Sequence, residues 1–124
     1  MSQPCILVAE DDPLNLRIIE RVLEREGYVL LEASDGDSAL QLSRRYKGQI
    51  DLLVSNADLP DMMAHNLVGA IRKDHPNIRV LIVSTEGDND IFSSVHSSGE
   101  FLQPMSPQTL LEKVRGLLAN SGFK

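Results

Sequence analysis

The sequence predicts an α/β fold in which five short strands alternate with five helices and form a parallel sheet covered on both faces. Three observations point there. Apolar runs such as Cys5-Ile6-Leu7-Val8-Ala9 and Leu52-Leu53-Val54 are continuous and short, as in strands buried on both sides. Between such runs, apolar residues recur at helical spacing, as at Leu14, Ile18 and Val22. Capping and turn residues punctuate each change, among them Asp12-Pro13, Gly27 and Ser34-Asp35-Gly36.

The first strand runs from Cys5 to Ala9 and ends in Glu10-Asp11-Asp12-Pro13. Asp12 is placed to cap a helix and Pro13 to occupy its first position, where no amide donor is needed. Ile19 and Leu23 widen the apolar stripe of that helix, which Gly27 stops. A second strand is read from Tyr28 to Ala33, then a turn at Ser34-Asp35-Gly36. A helix marked by Ala39, Leu40 and Leu42 fades near Lys47-Gly48. The third strand spans Ile50 to Ser55, followed by a loop with Pro60 and a helix through Leu67, Val68 and Ile71. Arg79 to Val83 makes the fourth strand. Asp88 to about His96 reads as a serine-rich helix with few core residues, and Phe101-Leu102 as a short fifth strand. Ser106-Pro107 starts the last helix, with Leu110, Leu111, Val114, Leu117 and Leu118. Residues 1–124 are expected to form one domain, with its core over about 5–119.

Composition narrows the function. With 124 residues, 42% hydrophobic and 24% charged, the chain can bury one core. No apolar run approaches the roughly 20 residues of a membrane helix, and the first run is too short for a secretory signal. A net charge of −6 argues against direct nucleic-acid binding. The lone Cys5 forms no internal disulfide and reads as a small core residue. A cytoplasmic protein is expected. His65, His75 and His96 are scattered, Ser84 has no triad partner in sequence, and no glycine-rich phosphate loop follows the first strand. An ordinary enzyme is not expected.

In a parallel sheet, ligands sit beyond the carboxyl ends of the strands. That places Glu10, Asp11, Asp12, the stretch from Asn56 to Pro60, Ser84, Thr85 and Gln103-Pro104 in one crevice. Three crowded carboxylates repel, and a divalent cation relieves them; magnesium suits such oxygen ligands. For Asp12, helix capping is the simpler role.

These residues resemble the receiver domain of bacterial two-component response regulators, a CheY-like family. The likeness rests on Ile6-Leu7-Val8-Ala9-Glu10-Asp11-Asp12-Pro13, Glu32-Ala33-Ser34-Asp35-Gly36, Asp51-Leu52-Leu53-Val54-Ser55-Asn56, Leu59-Pro60-Asp61-Met62 and Val80-Leu81-Ile82-Val83-Ser84, in that order and spacing. The resemblance implies a doubly wound, flavodoxin-like (βα)5 fold and a phosphorelay role with a histidine kinase or other signalling protein as partner. It also implies a metal site at Glu10, Asp11 and the backbone carbonyl of Asp58, a switch hydroxyl at Ser84, and a cis-proline candidate at Pro104.

Two positions depart from the family pattern. The phosphoacceptor aspartate is replaced by Asn56, whose neutral carboxamide is a poor nucleophile. Without that charge magnesium binding is expected to weaken. The lysine after the fifth strand is either replaced by Gln103 or deleted just before Pro104, removing a fixed positive charge. In addition, Ala64 stands for a usual glycine, Met63 for a small polar residue, and the stretch from Ser84 to Gln103 is shorter than usual. The reading is therefore a pseudo-receiver that signals through protein contacts. The alternatives are a phosphoacceptor using another residue, with Asp58 nearby, an engineered aspartate-to-asparagine variant of a working receiver, or a metal- or small-ligand-sensing domain built on the Glu10/Asp11 pocket. Oligomeric state is left open.

Overall fold

A computed structural model describes residues 3–83, the backbone of 100–102, and residues 107–119. Strand β1 (Cys5–Ala9) is buried at every position, and lies between β2 (Val29–Ala33) and β3 (Leu52–Asn56). Beyond β3 come β4 (Arg79–Val83) and β5 (Glu100–Leu102), giving the order β2-β1-β3-β4-β5 with every pair parallel. The chain moves outward from β1 in both directions, so a crevice opens between the carboxyl ends of β1 and β3.

Four helices are described: α1 (Pro13–Glu24), α2 (Gly36–Arg45), α3 (Ala64–Ile71) and α4 (Pro107–Ala119). They divide the core into two layers because successive strand residues point to opposite faces. Ala39 of α2 and Leu67, Val68 and Ile71 of α3 pack with Leu7, Leu53, Val80 and Ile82. Ile19 and Leu23 of α1 and Leu110, Val114 and Leu118 of α4 pack with Ile6, Val8, Leu52, Val54 and Leu81. The continuous apolar runs are thus buried on both sides.

Local signals set several boundaries. The Asp12 carboxylate accepts from the Leu14 amide at 2.9 Å, and Pro13 opens α1. Gly27 adopts φ +83°, a left-handed conformation that suits glycine, and its amide closes on the Glu24 carbonyl at 3.0 Å. Several boundaries differ from the sequence reading: β2 starts at Val29 and not Tyr28, β3 at Leu52 and not Ile50, and β5 at Glu100 and not Phe101. Gly36 is the first residue of α2 and not part of a turn, because Asp35 caps the helix by accepting from the Ser38 amide at 2.7 Å. Asn56 is the last residue of β3, held by pairing with Val83. The helix expected at 88–96 lies outside the described residues.

The amino ends of the strands are tied by a group the sequence did not advertise. Asp51 is 7% exposed, and its Oδ2 accepts from the Cys5 amide at 2.8 Å. Its own amide and carbonyl bond to Cys5 and Arg79, so this residue links β1, β3 and β4 at one point. Between α1 and β2, acids of the helix meet another acid on the strand. Glu32 is solvent-exposed overall, yet partial loss of hydration, then a hydrogen bond with Glu20 and the charges of Glu20 and Glu24, push its carboxyl up to about 7.

Candidate functional site

The β1 chain leaves the sheet at Glu10, whose amide still bonds to the Ala33 carbonyl of β2 at 3.0 Å. That last rung turns the Glu10 side chain inward, and it is 1% exposed. A buried carboxylate needs donors. The Glu10 Oε2 receives two, from the Asp12 amide at 3.0 Å and from Asn56 Nδ2 at 2.9 Å. Loss of hydration raises the Glu10 carboxyl above its ordinary range; the two donors pull it back in part, and the Asp11 charge pushes it up further.

Asn56 is therefore placed beside the acid pair by the pairing of β3 with β1. Its Nδ2 also approaches the exposed Asp11 Oδ1 at 3.4 Å, and its Oδ1 accepts from the Asp58 amide at 3.2 Å. The neighbours fix which way the carboxamide faces. Reversing it would set its oxygen against two carboxylates and its NH2 against an N–H. As arranged, the group turned toward Glu10 and Asp11 is a donor, while a magnesium ion needs oxygen acceptors. The residues present do not fit the ion in this arrangement.

Beyond Asn56 the chain forms a tight corner. Asp58 faces Met63 in an antiparallel bridge closed by Leu59 N–H to Met62 O at 3.1 Å and Ala64 N–H to Ala57 O at 3.0 Å. The bridge thus takes neither the amide nor the carbonyl of Asp58, and the amide turns to Asn56 instead. Asp61 then reaches across to α2. Its Oδ1 accepts from the Gly36 amide at 2.8 Å and its Oδ2 from the Asp37 amide at 2.9 Å. Those two donors hold its carboxyl below the ordinary range. Sequence reasoning gave Asp61 no such role, since its partners lie 25 and 24 positions away.

Met62 completes the corner by lying on Gly36. A Cβ added at Gly36 would fall 2.5 Å from both Cγ and Sδ of Met62. Gly36→Ala is expected to push Met62 out of its place against the core and cost about 1–3 kcal/mol, measured by urea unfolding. In a Met62→Ala background the same change should cost clearly less.

Ser84, Gln103 and Pro104 lie outside the described residues. The register beside them is described: Asn56 pairs with Val83, and Val83 with Leu102. Ser84 and Gln103 are the next residues in the chain after those two. His65 is exposed on α3, and His75 Nε2 contacts the Ser43 carbonyl at 2.9 Å near the opposite end of the sheet. That end also carries a polar depression of about 510 Å³ lined by residues including Lys47, Asp51, His75 and Asn77, well away from the acid pair. No helix among the described residues is long and apolar enough to cross a membrane.

Comparison with known proteins agrees with this fold. The response regulator receiver domain matches residues 6–115, and the chain belongs to that family. It is 31% identical over 115 residues to the chemotaxis protein CheY of Pseudomonas aeruginosa, covering 88% of this chain and 91% of that protein. It is 28% identical over 120 residues to the sensor kinase CckA of Brucella abortus and 27% identical over 120 residues to the probable transcriptional regulatory protein TcrX of Mycobacterium tuberculosis. Each match covers 94% of this chain, but the chain spans only 13% and 50% of those two relatives. Among solved structures, it resembles the receiver domain of the hybrid histidine kinase CckA, with 30% identity, a TM-score of 0.77 and coverage of 92% and 98%. The signal receiver domain of an HD domain-containing protein from Pseudomonas fluorescens superposes with a TM-score of 0.86 at 26% identity, with coverage of 97% and 98%. The chain is thus a CheY-like receiver domain of two-component signal transduction. Receivers generally bind magnesium in their acidic pocket and interact with histidine kinases and other signalling proteins.

Proposed function

We propose that this receiver is a pseudo-receiver: a binding module that works through protein contacts and does not accept a phosphoryl group at the usual position. The observation that carries this reading is the Asn56 carboxamide at the end of β3, with its NH2 turned to Glu10 and Asp11. A receiver of the ordinary kind presents a carboxylate there, and attack on phosphorus needs that negative oxygen. The Asn56 nitrogen lone pair is delocalised into the carbonyl, and the oxygen is engaged by the Asp58 amide. Asp58 itself is exposed, and its amide is bonded to the Asn56 oxygen.

Gln103 is the better match to the missing lysine position. The family places its hydroxyl after the fourth strand and its lysine after the fifth, and Val83 and Leu102 are a paired rung directly before Ser84 and Gln103. On this reading Ser84 is a vestigial switch, Pro104 the cis-proline candidate, and residues 1–124 one receiver-like unit in a cytoplasmic pathway. A histidine kinase or another signalling protein is its partner, either as a free-standing chain or within a longer protein.

Incubation with acetyl phosphate and magnesium, followed by intact-mass spectrometry beside a conventional receiver, tests this. The expected result is a labelled control and no adduct on this chain. A magnesium-dependent, base-labile adduct would reverse the reading.

A further inference from the structure

We infer that the Asn56 carboxamide is the built-in occupant of the cation pocket, excluding a divalent ion and doing its structural work. The inference deepens the reading of this site as a pseudo-receiver by stating how the site is regulated: magnesium does not set its state. The neutrality of asparagine alone would leave an acid pair that binds the ion weakly. The geometry points further.

The Glu10 carboxylate is 1% exposed, and among the described residues its donors are the Asp12 amide and Asn56 Nδ2. Asn56 Nδ2 is also the group that joins Glu10 to Asp11, at 2.9 and 3.4 Å. A divalent ion bridging these two acids would have to meet the amide protons head on. Rotating the carboxamide to offer its oxygen would break both bonds to the acids. It would also turn the NH2 toward the Asp58 amide, which now donates to Oδ1 at 3.2 Å. Ion entry therefore carries the loss of a three-point hydrogen-bond circuit, Glu10–Asn56–Asp58, with Asp11 at its rim. The circuit extends to α2 through the corner that Asp61 fastens to the Gly36 and Asp37 amides. The acidic pocket and the loop beside it are thus joined by side-chain acceptors on backbone amides and by the backbone bridge of the corner.

Alanine at this position separates exclusion from weak binding. It is as neutral as asparagine but carries no N–H donors. If lack of charge were the whole effect, Asn56→Ala and the wild type would respond to magnesium alike. If the NH2 keeps the ion out, removing it opens the pocket.

The experiment is thermal melting of the wild type, Asn56→Ala and Asn56→Asp, each in EDTA and in excess magnesium chloride. The wild type is expected to move by less than about 1 °C, and both variants to melt lower than wild type in EDTA and to rise with magnesium, Asn56→Asp by roughly 5 °C or more. A wild-type rise matching that of Asn56→Ala, or an Asn56→Ala protein as indifferent as the wild type, overturns the inference. Should the variants not fold, manganese-induced broadening of the wild-type Asp12 and Asp58 amide resonances decides it. No site-specific broadening supports exclusion, and selective broadening there refutes it. A phosphoryl adduct on the wild type would reverse the functional reading by a separate measurement, and would leave these melting results standing on their own.

Discussion

On the pseudo-receiver reading, Asn56→Asp is expected to accept a phosphoryl group from acetyl phosphate, but about 100- to 1000-fold more slowly than a conventional receiver, because that reading leaves a second, electrostatic group missing. The substitution restores the nucleophile. It also adds a third carboxylate to Glu10 and Asp11 and removes the NH2 that now bonds to them. As negative charge builds on the phosphoryl oxygens and acetate leaves, the usual receiver stabilises it with a lysine after the last strand. Here the chain places neutral Gln103 directly after the Leu102–Val83 rung. A side-chain amide can donate hydrogen bonds through its NH2, but it brings no net charge to a site already rich in acids. Adding Gln103→Lys to Asn56→Asp should recover most of the deficit, read as the initial rate of adduct formation by intact mass. Labelling of Asn56→Asp alone at the conventional rate would show that the site is disabled at one position and not two.

How much of this was legible in the sequence depends on the reach of each interaction. The start of α1 could be read directly, because Asp12 acts on Leu14, two residues away. The stop at Gly27 was equally local. Asn56 could be recognised by type and spacing, and so could its failure as a nucleophile. What its carboxamide does could not: the partners are 46 and 45 positions away, and only the β1–β3 register brings them together. Asp61 and Asp51 were hidden for the same reason. Each is one acid among 18 acidic residues until a distant backbone N–H comes within reach. The Gly36 boundary was missed because glycine after Ser34-Asp35 carries a turn signal, whereas Asp35 and Asp61 together supply the donors' partners that start a helix there.

Leu52→Ala and Leu53→Ala are each expected to cost about 2–5 kcal/mol, although they are neighbours on one strand. In a sheet with one wet face, successive residues alternate between core and solvent, and one of the two substitutions would be nearly silent. Here both side chains are fully buried, each in its own layer. Leu52 packs with Ile19, Leu23 and Leu110 beneath α1 and α4, and Leu53 with Leu67 and Ile71 beneath α3. Neither layer can easily collapse into the space left by the lost methyl groups, since the strand between them is held by β1 on one side and β4 on the other. Urea unfolding of the two variants should therefore show midpoints that fall by comparable amounts with little change in slope. A near-neutral result for either one would mean that one helical layer does not cover the sheet as described. Comparable losses would also bear on the functional site. The same strand ends in Asn56, so both layers fix the height at which its carboxamide meets Glu10 and Asp11.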